Sequence, residues 1–127
     1  MSVQEVCSVS VESGTVTGAS VTIGICHGQS GEWKLVGLSM VPQVALGADG
    51  SNKYVISATQ GSDSVVTSLD SSAAQHVAQT AQAFTVTGTA GAALEFGATD
   101  VLKITFTETG TATANCTFVA AFEKVRV

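Results

Sequence analysis

Charge is scarce in this sequence. Only 12% of its 127 residues are Asp, Glu, Lys or Arg, and 5 cations stand against 10 anions for a formal net charge of −5. A protein that grips nucleic acid or an anionic bilayer needs a basic stripe to neutralise phosphates, which 5 scattered cations do not supply. Proline occurs once, at Pro42, and no Pro-rich, Ser-rich or charged stretch divides the chain, so residues 1–127 read as one domain. No apolar run approaches the roughly 20 residues needed to cross a bilayer. The opening M-S-V-Q-E-V-C-S-V-S-V-E, Met1 to Glu12, has neither the basic start nor the apolar centre of a signal peptide, which predicts a protein made in a cytosol. Cysteine is sparse and odd in number: Cys7, Cys26 and Cys116 form no C-x-x-C pair, and nothing supports a Cys7–Cys26 bridge. They read as reduced thiols used as small core residues.

What the chain does have is apolar and hydroxyl side chains. Hydrophobic residues make up 45%, and Ser, Thr and Gly together supply about a third. Such a chain forms a core, which excludes disorder driven by high charge and low hydrophobicity.

The dominant pattern is period-two alternation, which places one set of side chains on each face of a strand. From Val3 to Val11 the odd positions, Val3, Glu5, Cys7, Val9 and Val11, alternate with even ones that are mostly Ser and Gln. Val21, Ile23 and Ile25 alternate with Thr22, Gly24 and Cys26, and His27-Gly28-Gln29-Ser30-Gly31 turns the chain. A third strand runs from Trp33 to Val41, with Val36, Leu38 and Met40 on one face and Leu35, Gly37 and Ser39 on the other, and stops at Pro42. Gly47-Ala48-Asp49-Gly50-Ser51-Asn52 predicts an exposed loop before a strand through Tyr54, Ile56 and Ala58. Ser72 to Ala83 is the one helix candidate, with Asp70, Ser71 or Ser72 as its cap and an almost wholly Ala apolar face, against an ordered loop as the competing state. Short pieces at Phe84/Val86 and Leu94/Phe96 lead to a strand over Val101 to Thr109. The last strand, Asn115 to Val127, is apolar on both faces: Cys116, Phe118, Ala120 and Phe122 on one, and Val119, Ala121, Val125 and Val127 with Thr117 on the other. A strand of this kind is buried between layers or covered by another subunit. Many strands, glycine turns and at most one short helix near 72–83 predict an all-β antiparallel sandwich, in its jelly-roll form.

Catalytic and metal motifs do not assemble. Gly28-Gln29-Ser30-Gly31-Glu32 has Glu32 where a nucleophile elbow needs glycine, and a strand follows where that motif needs a helix. Cys26 and His27 are adjacent, so on a strand they point to opposite faces, and His76 has no second ligand near it. Asp49-Gly50-Ser51-Asn52 lacks the spaced carboxylates and closing Glu of a calcium loop. The reading is a non-enzyme with no metal and no cofactor. Trp33 and Tyr54 are the large amphipathic aromatics, each able to stack on a sugar ring or anchor a partner.

The strings W-K-L-V-G-L-S-M-V-P (Trp33 to Pro42), A-L-G-A-D-G-S-N-K-Y-V-I-S-A-T (Ala45 to Thr59) and A-L-E-F-G-A-T-D-V-L-K-I-T-F-T-E-T-G-T-A (Ala93 to Ala112) resemble small head decoration, or cement, proteins and related head fibre proteins of tailed bacteriophages. In that family a strand ending near Pro leads through a G-A-D-x-N-like loop into an aromatic strand, and a G-D-V-L-like turn opens a late strand. Here Ala98-Thr99 stands between Gly97 and Asp100. The resemblance implies a jelly-roll homotrimer on the outer surface of a virion head, clamping neighbouring major capsid proteins. In such a trimer the doubly apolar last strand needs a cover, so Val119, Ala121, Val125 and Val127 are expected at the subunit interface, with the N-terminal segment or an exposed loop on the capsid. Asp49 and Asn52 of the exposed loop, with Trp33 and Tyr54, become the expected partner contacts. Two other classes remain: a receptor- or glycan-binding jelly-roll module using Trp33 or Tyr54, and a small hydrolase in which His27 or His76 meets a carboxylate.

Overall fold

The computed structural model describes residues 5–17, 20–45, 50–72, 77–87 and 94–126, with the backbone alone at positions 20 and 126. Its strands, in chain order, are β1 Val6–Val16, β2 Ser20–Ile25, β3 Glu32–Pro42, β4 Lys53–Gln60, β5 Asp63–Ser64, β6 Leu69–Asp70, β7 Gln82–Phe84, β8 Glu95–Phe96, β9 Leu102–Thr109 and β10 Ala114–Arg126. Every strand pairing is antiparallel. One sheet has the order β1-β10-β3-β7, with β8 also on β3, and the other has β2-β9-β4-β5, with β6 also on β4. The chain thus alternates sheets through β1, β2, β3 and β4, fills the far edges with β5/β6 and β7/β8, and returns through β9 and β10 to the middle of each sheet. This is the interlocked Greek-key path of a jelly roll, and the expected all-β sandwich is the fold observed.

Alternation explains the two layers. From the first sheet Leu35, Leu38, Met40, Phe118, Ala120 and Phe122 face inward and are buried; from the second Tyr54, Ile56, Ala58, Leu102, Ile104 and Phe106 meet them. Phe106 of β9 crosses the interior to Phe118 of β10, ring centroids 5.7 Å apart and edge-on at 74°. That geometry suits the opposed charge of ring face and ring edge.

The central strands hold two irregularities. On β3, Gly37 pairs with Ala121 and Leu35 with Phe122, so Val36 is the extra residue of a bulge. The faces therefore change across it. Trp33, Leu35, Leu38 and Met40 are all buried; Val36, expected on the face of Leu38 and Met40, is 40% exposed, and Leu35, expected on the opposite face, is in the core. On β1, two residues lie between the partners of Thr117 and Asn115, and Gly14 takes φ 66°, a left-handed value that costs glycine nothing. Cys116 N, which faces that bulge, donates to Ser13 Oγ at 3.0 Å. The bulge lets β1 run past Gly14 to Val16, beyond the expected end at Val11.

Pro42 lies within β3 rather than beyond it. It pairs with Cys116, while the next residue, Gln43, donates to Asn115 O at 2.7 Å, so the missing proline N–H falls where no bond to β10 is required.

The helix expected over 72–83 is absent from the described part of that segment; residues 73–76 lie outside the described residues. Gln79 has φ 62°, which no right-handed helix accommodates, and Gln82–Phe84 forms β7 against Leu38–Met40 of β3. An Ala face buries too little to hold a helix, whereas pairing with β3 sends Phe84 into the core at 5% exposure.

Candidate interaction surfaces

The aromatics expected as contacts are in the interior. Tyr54 is fully buried, its hydroxyl donating to Val16 O at 2.9 Å and lying 3.1 Å from Glu108 Oε2. Trp33 is 4% exposed and donates its indole N–H to Ser30 O at 3.0 Å, with Lys124 Nζ 5.8 Å from its ring centroid. Both polar tips are satisfied inside the fold, so neither ring offers a face to a sugar or a partner. The contact role expected of them is corrected to a packing role.

Asn52 is exposed, but its carboxamide is engaged: Oδ1 accepts from Thr111 N at 2.9 Å and Thr111 Oγ1 at 3.1 Å. It ties the loop before β4 to the β9–β10 turn. Gly110 sits there at φ 78°, so close to Ser51 O and Asn52 Oδ1 that a Cβ would collide with both. Asp49 lies outside the described residues, as do His76 and Val127.

His27 is 6% exposed at the end of the sandwich, its ring 5.3 Å from Phe122 and 5.9 Å from Trp33. Gln29 N donates to Nδ1 at 2.9 Å, which leaves Nε2 to donate to Phe96 O at 2.8 Å. Both nitrogens are occupied by main chain, so this ring pins the β2–β3 loop to β8 and has no lone pair left for a proton transfer. Among the described residues no three His, Cys, Asp or Glu side chains come together as a metal-binding group. The thiols are separate: Cys26 is exposed and bonds to Ala98 O at 2.8 Å, Cys7 is half-buried, and Cys116 is buried. Burial pushes the Cys7 thiol up and holds Cys116 at about 11.

What the fold presents outward is two unlike faces. On the β2-β9-β4 sheet, Thr22, Thr105 and Ser57 form a hydroxyl row, beside a row containing Lys103 and Thr59. Lys53 and Asp70 form an ion pair of 3.1 Å at its far side. Asp70 also accepts from Ser72 N at 2.9 Å and Ser72 Oγ at 2.7 Å; these bonds, with Lys53, hold its carboxyl down at about 2.

The outer face of the β1-β10-β3-β7 sheet is different. Glu12, Thr117 and Val41 make one row, Ser10, Val119, Ser39 and Ala83 the next, and Ser8, Ala121 and Gly37 the third. Beyond Glu12 these rows hold no charge until Glu123 and Lys34 pair at the other end. Val119 and Ala121 point outward from the central strand, half-covered by their neighbours, and Val125 further along is 44% exposed. Three of the four residues expected at an interface are therefore described, and all three lie on β10, with Val119 and Ala121 at the centre of a small-residue face. The sequence reading missed their companions Val41, Ser39, Gly37, Ser8 and Ser10. Their signal was the small outward residues of β1 and β3, legible only once the strand order puts them beside β10.

No match to this chain was found among protein-family models, curated proteins or solved structures.

Proposed function

We propose that the chain is a structural virion protein: a decoration protein that sits as a homotrimer on the outside of a bacteriophage head and stabilises neighbouring major capsid proteins. The observation that carries this reading is the uncharged outer face centred on Val119 and Ala121. This sheet face is built of Val, Ala, Ser, Thr and Gly residues, and depletion of charge is what marks the core of a protein–protein interface. Repeated around a threefold axis, such a face joins copies without needing many ions, and multivalent seating on a symmetric shell multiplies weak single contacts. The resemblance of Trp33 to Pro42, Ala45 to Thr59 and Ala93 to Ala112 to head decoration proteins supplies the particle. The rival glycan-binding reading leaned on Trp33 and Tyr54, both of which are in the core.

The test is the protein content of purified particles from the source that encodes the chain. The expected result is a fixed ratio of this chain to the major capsid protein, with the chain reached by antibody on intact heads. Particles free of the chain, or chain sealed inside the shell, overturn the reading.

A further inference from the structure

We propose that the open edge of β1 is a dimer seam, where two copies of this chain pair their β1 strands antiparallel about a twofold axis at Val9. In its sheet β1 pairs with β10 on one side, and no described strand lies along its other side; β2 stands in the same position in the second sheet. The inward side chains of these two edges, Cys7, Val9 and Val11 from β1 and Val21 and Ile23 from β2, are only half-buried, although they pack on the core. The wall of the sandwich between β1 and β2 is thus apolar and partly open.

Edge strands of soluble proteins are normally blunted by charge, proline or a bulge. Here V-C-S-V-S-V, Val6 to Val11, carries none of these, and the Gly14 bulge comes only after Glu12. The backbone is also set for pairing. Lys124 N donates to Glu5 O at 2.9 Å, which makes Glu5 and Lys124 a hydrogen-bonded pair. Because such pairs alternate along an antiparallel ladder, Cys7, Val9 and Val11 turn their N–H and C=O groups toward β10, while Val6, Ser8, Ser10 and Glu12 turn theirs outward.

The sequence of the edge selects a second copy as its occupant. With the axis at Val9, Val9 meets Val9, Cys7 meets Val11 and Ser8 meets Ser10, so apolar residues oppose apolar ones on the inner face and hydroxyls oppose hydroxyls on the outer face. Glu12 falls opposite Val6 and Glu5 opposite Ser13, so no like charges face each other. Moving the axis to Ser8 sets Glu5 against Val11, and moving it to Ser10 sets Cys7 against Ser13. Only even shifts keep inner residues on the inner face. The Val9 register also makes Ser8 and Ser10 the hydrogen-bonded pair, as their outward backbone groups require. This seam does not depend on the virion reading, and it is separate from the Val119 face: edge pairing counts copies in twos, face packing in threes.

A Val9→Cys variant tests the geometry. Directly opposed residues at a non-hydrogen-bonded site have Cα atoms about 4.5 Å apart, inside the range a disulfide spans. Mild oxidation is expected to give a covalent dimer that the wild type, with its three native thiols, does not give. Ser10→Pro removes an outward N–H and leaves the β10 ladder whole; it is expected to halve the native mass with an unchanged far-ultraviolet spectrum. Amide exchange on the wild type decides the matter even if Ser10→Pro does not fold. Protection of Ser8 and Ser10 amides that rises with protein concentration supports the seam. Free exchange at those two amides beside protected Cys7, Val9 and Val11, or no excess cross-linking of Val9→Cys, overturns it.

Discussion

Tyr54→Phe removes one oxygen atom from the centre of the sandwich, and the structure sets the size of the effect. The Tyr54 ring is fully buried and stands edge-on to Phe106 at 5.7 Å, so the phenyl ring of the variant keeps its packing. What disappears is the hydroxyl that donates to Val16 O at 2.9 Å and lies 3.1 Å from Glu108 Oε2. Val16 is 2% exposed, so water does not readily replace the lost donor. The hydroxyl has one proton to divide between Val16 O and the Glu108 carboxylate, so what is lost is one buried hydrogen bond with a charged acceptor in reach, worth about 1–3 kcal/mol. The hydroxyl also joins the end of β1 in one sheet to β4 in the other, so its loss weakens a contact between layers. The expected destabilisation is about 2 kcal/mol, against about 3–5 kcal/mol for Tyr54→Ala, which also leaves a cavity. In urea unfolding with a slope near 2 kcal/mol per molar, the Tyr54→Phe midpoint falls by about 1 M at constant slope. A midpoint within about 0.1 M of wild type, the behaviour of a solvent-facing tyrosine, would refute the buried hydroxyl assigned to Tyr54.

Thiol labelling reads the fold at three depths. In the native state Cys26 is expected to react first, Cys7 slowly and Cys116 only on unfolding; fast labelling of Cys116 would contradict its place in the core. Because folding holds the Cys116 thiol at about 11 against an ordinary 9.0, its contribution to stability is present below pH 9 and is lost as pH rises toward 11. Cys116→Ala should flatten that part of the alkaline stability curve. At the acid end the direction reverses. Asp70 is held at about 2 against an ordinary 3.8, so its contribution is present above pH 4 and disappears as pH falls through that interval. Asp70→Asn should reduce the slope of stability against pH between about 4 and 2, and an unchanged slope would remove the Ser72 and Lys53 contacts as its cause.

The long strands were legible because each has one apolar face: the alternation in Tyr54, Ile56 and Ala58 and in Leu102, Ile104 and Phe106 is the core itself. The doubly apolar β10 lies in mid-sheet between β1 and β3, with Phe118, Ala120 and Phe122 in the core and Val119 and Ala121 on the outer face of the sheet. The misread parts share a physical reason, which is that distant residues decide them. Gln82–Phe84 has helix-forming neighbours, yet β3 captures it as a strand. Val36 changes face because a bulge opposite Ala121 and Phe122 inserts one residue, and no local pattern records that. Tyr54 and Trp33 looked like surface anchors because each has a polar tip, but Val16 O and Ser30 O satisfy those tips inside the fold. The outer face around Val119 was half legible: its β10 residues showed in the alternation, whereas Ser10 and Ser39 join it only through strand order.

The most direct measurement on the proposed role is the temperature at which heads release their DNA, followed with an external dye, for heads lacking the chain, heads given the wild type and heads given Val119→Glu. Val119 points out of the sheet, so the variant is expected to fold as the wild type does while placing a charge in the uncharged face. A higher release temperature with the wild type, and one close to that of undecorated heads with Val119→Glu, is the predicted result. Equal release temperatures for all three would contradict a protein that stabilises heads through this face.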